Sequence, residues 1–371
     1  MPSFATPEGT ARYAKRFAGR AAEGHFRGRN GLLLSSIGIG TYLGEHDAAT
    51  DAAYTDAIVA AVSSGVNVID TAINYRFQRS ERSIGAALQR LAAAGISREE
   101  IFLCTKGGFL TPDGEMPADP RAYFTSEYVN SGILRPEEVA AGGHCLAPRF
   151  LENQLQRSLK NLGVDCVDVY YVHNPETQLA TVARNEFLSR LRAAFEYLES
   201  AVNACFIRVY GAATWNGFRQ PPDSSDYLSV EEMVSMARDI AGENHHFRFV
   251  QLPVNLAMTE AIGRPNQILN GEYVPMVEAA RENGVSLIAS ASLLQVQVAQ
   301  NLPPFVSNVL GLESGVLCAL QFARSAPGIT TALVGMSRRE HVKFNLQLLE
   351  VPPTPIEQFI KLFEKSEEVG E

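Results

Sequence analysis

The stretch VNVIDTAINYRFQRSERSIGAALQRLAAAG (66–95), with IFLCTKG (101–107) close behind it, decides the fold. Its opening residues form a short apolar run of strand length. Residues 79–93 then place Ile84, Leu88 and Leu91 at helical spacing, and Gly95 follows where a left-handed cap is favourable. A strand, an amphipathic helix and a second apolar strand make a βα unit with a parallel sheet. The same alternation extends in both directions. Upstream stand LLLSSIGIGT (32–41) and DAAYTDAIVAAVSSG (51–65). Downstream come RFLENQLQRSLKNLG (149–163), VDVYYVHN (167–174), NEFLSRLRAAFEYLESA (185–201), CFIRVYGAAT (205–214) and SVEEMVSMARDIAG (229–242). FRFVQLPVN (247–255), YVPMVEAARENG (273–284), VSLIASAS (285–292), SGVLCALQFARSA (314–326), ITTALVGMS (329–337) and RREHVKFNLQLLE (338–350) complete the series. Eight rounds predict an α/β fold, a closed (β/α)8 TIM barrel. The strands are continuously apolar, as strands covered on both faces are, and Gly65, Gly95, Gly163 and Gly284 end helices.

The expected organisation is an N-terminal extension over residues 1–30 and a single barrel domain over 31–371. A Pro/Gly-rich insertion at about 107–148 interrupts the third βα connection. That insertion and shorter irregular stretches at 215–227 and 258–273 fall on the C-terminal face of the barrel, where this architecture builds its sites. The insertion reads as a lid or pocket wall. The chain has 371 residues, 46% hydrophobic and 20% charged, enough to bury a sizeable core. A net charge of -9 argues against nucleic acid or an anionic membrane as partner. Five scattered cysteines without a C-x-x-C pair suggest neither a disulfide framework nor a metal site. The N-terminal MPSFATPEGTARYAKRFAGR carries charges where a signal peptide would be apolar, so a cytoplasmic protein is expected.

The unusual polar residues lie at strand ends. Asp70 ends the second strand, Lys106 the third and His173 the fourth, with Tyr75 just beyond Asp70. At one barrel mouth these four can touch. A free tyrosine, with a pKa of about 10, is a poor proton donor at neutral pH unless a cation stabilises its phenolate. Lys106 is expected to lower the Tyr75 pKa, Asp70 to hold Lys106 charged, and His173 to orient a carbonyl oxygen. Such a group suits stabilisation of a developing alkoxide. Taken singly, each has a plainer role, as a structural ion pair, a satisfied histidine or a rim aromatic. Their coincidence on three successive strands favours chemistry.

With those residues in place, the chain resembles the aldo-keto reductase family. DTAINYRFQRSERSIGAAL (70–88), CTKGG (104–108), SLKNLGVDCVDVYYVHNPE (158–176), GIGTYLG (38–44) and CALQFARSAPGITTALVGMSRREHVKFN (318–345) carry the resemblance, which spans roughly 31–350. It implies a catalytic tetrad of Asp70, Tyr75, Lys106 and His173, with Tyr75 as proton donor. It also implies a nicotinamide cofactor extended over the barrel mouth without a Rossmann domain. Gly40, Thr41 and Tyr42, together with Asp70, match the first-strand side of that site, and Gln251 the residue that bonds the carboxamide. The fifth strand departs from the family pattern, leaving Thr214 and Asn216 as substitutes, and Ser290 stands where a stacking tyrosine is usual. Gly335, Ser337, Arg338, Arg339 and Asn345 fall at the phosphate and adenosine end of the site that the resemblance implies. Gly335 stands where some relatives have a lysine and His341 where some have an arginine, which leaves Arg338 and Arg339 as candidates for a 2′-phosphate.

These readings predict reduction of an aldehyde or ketone by NADPH, or the reverse oxidation of an alcohol, with NADH the less favoured cofactor. Expected partners are a small-molecule carbonyl or alcohol, with no nucleic acid, no membrane and no metal, in a monomer or small homo-oligomer. The alternative is a nucleotide-binding regulatory or scaffold barrel with little turnover, for which the altered fifth and seventh strands speak. A metal-dependent hydrolase lacks ligand motifs, since its one close pair, His245-His246, precedes a strand.

Overall fold

The structure, a computed structural model, describes residues 3–364. The outer ends of the expected extension (1–2) and of the expected domain (365–371) lie outside the described residues. Eight strands close into a barrel: β1 (Ile37–Gly40), β2 (Val68–Asp70), β3 (Phe102–Gly107), β4 (Val167–His173), β5 (Ile207–Ala213), β6 (Phe247–Pro253), β7 (Ser286–Ser290) and β8 (Ile329–Gly335). Each pairs in parallel with its neighbour in sequence, and β8 pairs with β1 through Gly335 opposite Gly40. The helices that follow them are α1 (Ala48–Val62), α2 (Arg79–Ala93), α3 (Pro148–Leu162), α4 (Arg184–Asn203), α5 (Val230–Ala241), α6 (Met276–Glu282), α7 (Gly315–Ser325) and α8 (Arg339–Asn345). Local chemistry marks their ends. The Asp47 carboxylate accepts the Thr50 amide at the start of α1, and the Ser229 hydroxyl accepts that of Glu232 in α5. Pro148 opens α3, which Gly163 closes at φ 65°.

The two-residue period of a strand sorts its side chains into two layers. Outward residues such as Ile69, Leu103 and Val172 join the helices in the main core. Inward residues fill the barrel: Val68 on β2, Phe102 and Cys104 on β3, Val169 and Tyr171 on β4, Ala213, Phe249, Ile288 and Leu333 beyond. One further inward step on β2, β3 and β4 arrives at Asp70, Lys106 and His173. The apolar filling therefore ends in a layer of ionisable groups.

Residues 32–35, expected as the start of the first barrel strand, belong elsewhere. Leu32–Ser35 pairs antiparallel with Phe26–Arg29, and only Ile37–Gly40 enters the barrel. An apolar run reads alike in either setting, and the division falls at Ser36, whose N–H donates to the His25 carbonyl at 2.6 Å. The N-terminal extension, with a helix at Pro7–Lys15, closes the far end of the barrel. Ala5 and Leu34 join the inner cluster, and the Ala5 N–H reaches the Asp168 carboxylate at 2.7 Å.

The inserted segment after β3 has a small core of its own. Tyr128, Leu134 and Cys145 pack on Phe150 of α3, the Tyr128 hydroxyl donates to the Thr111 carbonyl at 2.7 Å, and a short hairpin joins Val139–Ala140 to His144–Cys145. Among the described residues, no single helix is long and apolar enough to cross a membrane. Helices Pro304–Leu310 and Gly315–Ser325 are jointly apolar but meet at 56°. No group of three His, Cys, Asp or Glu side chains among the described residues could hold a metal ion.

Candidate active site

Strand register delivers the four expected catalytic side chains to one mouth. Asp70 stands opposite Cys104 on β3, Lys106 opposite Tyr171 on β4, and His173 opposite Ala213 on β5. Lys106 is fully buried, with Nζ 2.6 Å from Asp70 Oδ2 and 2.8 Å from the Thr71 carbonyl. Gln251 of β6 donates its amide to the other Asp70 oxygen at 2.8 Å, so both carboxylate oxygens have donors. Burial opposes the Lys106 charge, but Asp70 and Tyr75 outweigh it and hold the ammonium above its ordinary pKa. Lys106 Nζ lies 5.0 Å from the Tyr75 ring centroid, and the His173 ring stands edge-on to Tyr75 at 5.7 Å.

Electrostatics corrects one expectation. Burial raises the Tyr75 phenol, and the Lys106 charge offsets this only in part, so its pKa lies above the ordinary value and not below it. His173 goes the other way. Burial, then the Lys106 charge and His144, hold it well below the usual imidazole range, so it is neutral at physiological pH. Its Nδ1 is buried and has no partner among the described residues. A neutral imidazole can donate an N–H to an oxygen but has no spare proton to give away.

The expected cofactor residues divide into engaged and open groups. The Thr41 hydroxyl is engaged, turned inward onto Thr71 Oγ1 at 2.9 Å, while Tyr42 is exposed and edge-on to Tyr75 at 5.0 Å. Gly40 lies on the rim beside them. Across the mouth, Thr214 is buried with a hydroxyl that has no partner among the described residues, and Ser290 ends β7. Gly335 has open space where a Cβ would stand, and Ser337 and Arg338 follow it at the surface. Arg339 is 3.6 Å from Asp56, both side chains well exposed, and Asn345 is buried at the end of α8.

Three residues at this mouth were not read from the sequence. Glu176, buried, gathers the backbone N–H groups of Trp215, Asn216 and Gly217 on Oε1 at 2.7, 3.0 and 3.4 Å, which shapes the loop after β5. Its Oε2 has no partner among the described residues, and burial raises its carboxyl. Arg76 follows Tyr75 in a left-handed run with Phe77 and Gln78 at φ 49°, 54° and 72°. Such a conformation is costly for side-chain residues and persists only when surroundings fix it. Here Arg76 grips the Glu45 carbonyl at 2.8 Å and Asp51 at 2.6 Å, and Phe77 stacks on His46. His144 of the insertion is fully buried against the His173 carbonyl at 2.7 Å.

Comparison with known proteins agrees with this architecture. Over residues 36–221 the chain matches the model of the aldo/keto reductase family. It is 28% identical over 215 residues to the aldo-keto reductase YhdN of Bacillus subtilis, covering 55% of this chain and 54% of that protein. The chain thus aligns with about half the length of that relative. An aldo/keto reductase of Klebsiella pneumoniae, solved in complex with NADP and acetate, is similar with a TM-score of 0.61 at 19% identity, covering 92% of this chain and 96% of that one. The holo form of aldo-keto reductase AKR11C1 from Bacillus halodurans gives a TM-score of 0.62 at 17% identity, with coverage of 93% and 96%. Those two likenesses show the same barrel. From the family-model match, with this fold beneath it, the chain is a member of the aldo/keto reductase family.

Proposed function

We propose that the protein reduces an aldehyde or ketone to an alcohol with NADPH, or runs the reverse oxidation, with Tyr75 as the proton donor. The observation that carries this reading is the buried Lys106, pinned to Asp70 at 2.6 Å with its ammonium 5.0 Å from the Tyr75 ring. A buried ion pair of this kind is a weak source of stability, and a role at the mouth is the better reason for it.

The chain's donors fit a nicotinamide nucleotide. The orphan Thr214 hydroxyl, Asn216, Gln251 and Ser290 would hold the nicotinamide end, with Gly40, Thr41, Tyr42 and Asp70 beside it. Gly335, Ser337, Arg338, Arg339 and Asn345 would take the phosphates and adenosine. When bound, the nucleotide supplies the hydride. The protein does the rest. The Tyr75 hydroxyl and the N–H of neutral His173 bind the carbonyl oxygen and orient it. The Tyr75 hydroxyl would meet the negative charge that reduction places on the carbonyl oxygen and would give that oxygen its proton. The phenolate left behind faces the Lys106 ammonium, which Asp70 keeps charged and in place. The elevated pKa of Tyr75 keeps it protonated before the reaction, as a donor must be. Specificity for NADPH rests on Arg338 and Arg339, either of which can fork onto a 2′-phosphate.

The test is consumption of NADPH by the full-length protein with a panel of aldehydes, ketones and open-chain sugars, beside measured nucleotide affinity. Turnover with some carbonyls is expected. Tight nucleotide binding with no turnover across the panel would favour the regulatory barrel.

A further inference from the structure

We infer that His144, carried to the mouth by the segment inserted after β3, is a positioning residue for His173. The inference rests on the reading of His173 as the group that orients the carbonyl. The need arises where β4 ends. Its pairing with β5 stops at His173, and Asn174 turns the chain away at φ 46°. The turn takes the His173 carbonyl out of the sheet ladder inside a buried region, where an unpaired backbone acceptor is costly. His144 Nε2 meets it at 2.7 Å.

The neighbours fix which nitrogen donates. His144 Nδ1 lies 3.2 Å from the side-chain amide nitrogen of Gln178, a group that only donates, so Nδ1 accepts and Nε2 carries the hydrogen. Arg190 Nη1, 3.4 Å from Gln178 Oε1, sets the amide that way round. Arg190 is itself held by the carbonyls of Glu137 and Glu138 in the insertion, at 3.0 and 3.1 Å. Burial lowers the His144 pKa to about 4, which keeps this ring neutral and the arrangement intact at neutral pH.

Packing completes the link. Phe109 stands edge-on to both histidine rings, 4.8 Å from His144 and 5.2 Å from His173. Gly108, at φ 144°, passes so close that a Cβ there would lie 2.9 Å from His144 Nε2 and 3.1 Å from the His173 oxygen. Only glycine leaves the bond room. The His173 ring is thereby set between Phe109 and Tyr75, and the insertion ends as part of the wall that aims it.

The experiment pairs two variants of the full-length protein. His144→Phe keeps an aromatic ring against Phe109 but removes the donor, whereas His144→Gln returns an amide N–H at similar reach. Because misplacement by about 1 Å can cost roughly a hundredfold in rate, His144→Phe should lower kcat by roughly ten- to a hundredfold with little change in KM or nucleotide affinity. His144→Gln should recover most of that loss. Histidine-selective nitrogen-15 NMR should show the His173 signals displaced in His144→Phe and near the parent's in His144→Gln. Parent-like kcat in His144→Phe would overturn the inference. So would equal losses in both variants, since the ring's shape and not its donor would then matter. If His144→Phe does not fold, Gln178→Leu decides: it should lower kcat several-fold, and a parent-like kcat would overturn the inference. If the parent turns over no carbonyl, the functional reading fails, and the NMR comparison still decides whether His144 holds His173.

Discussion

The two halves of the barrel mouth are furnished differently. On the β2–β4 side the polar groups are locked together: Asp70 has donors on both oxygens, Lys106 is enclosed, and His173 is held through its carbonyl. On the β5–β8 side, apart from Gln251, which is bound to Asp70, they are open. Among the described residues the Thr214 hydroxyl has no partner, and Arg338 and Arg339 lie at the surface, the latter with an exposed contact to Asp56. Fixed dipoles stabilise developing charge best when nothing must reorganise, whereas a ligand-binding surface needs groups free to meet the ligand. The closed half fits chemistry and the open half fits nucleotide binding.

If the division is real, each half should fail in its own way. The largest effect is expected from Lys106→Met, which should lower the rate of carbonyl reduction by roughly 10²- to 10⁴-fold. Nucleotide affinity should barely change. Reduction needs the neutral phenol, and loss of the cation raises the Tyr75 pKa further, so the alkaline fall in rate should move to higher pH. A pH–rate profile that stays in place in a variant still active would contradict that role for Lys106. Replacing Arg338 and Arg339 together with Ala should do the opposite. NADPH affinity should fall by roughly ten- to a hundredfold, as expected for a lost charge-assisted contact of about 1.5–3 kcal/mol, with NADH affinity and the chemical step nearly untouched. Equal affinity for both nucleotides in the parent would remove the basis for this prediction.

The smallest effect concerns acid stability on the closed side. His144 is held neutral in the folded state, its pKa pushed down to about 4 by burial, while the unfolded chain takes up a proton near 6.5. Its contribution is therefore complete above pH 6.5 and is lost as pH falls from there towards 4. His144→Phe lacks this titration. The Tm difference between the parent and His144→Phe should shift in the variant's favour between pH 7 and 4.5. A difference independent of pH would show that His144 is not held neutral by burial.

The sequence made the closed half readable where inward side chains and chemical type coincide. Asp70, Lys106 and His173 continue a two-residue period whose earlier members are Val68, Cys104 and Tyr171, so their place at the mouth follows from strand geometry. His144, Glu176 and Arg76 were not readable because each acts on backbone atoms, the His173 carbonyl, the amides of 215–217 and the Glu45 carbonyl, with Arg76 reaching the Asp51 carboxylate as well. A backbone partner leaves no mark in the pattern of residue types. The direction of the Tyr75 shift was missed for a related reason. Proximity to Lys106 can be inferred from strand order, whereas the depth of burial that outweighs it depends on how the loops pack. The hairpin at 26–35 shows the same limit, since Leu32–Ser35 has the composition of a barrel strand and is diverted by its pairing with Phe26–Arg29.

The most direct test of the central claim is the single-turnover rate of Tyr75→Phe, measured with NADPH and an accepted carbonyl alongside NADPH affinity for the same variant. The closed half should lose its proton donor and nothing else. The rate should fall by at least roughly 10²-fold while NADPH binds as in the parent. A variant that binds NADPH normally and reduces the carbonyl at the parent's rate would show that Tyr75 does not deliver the proton.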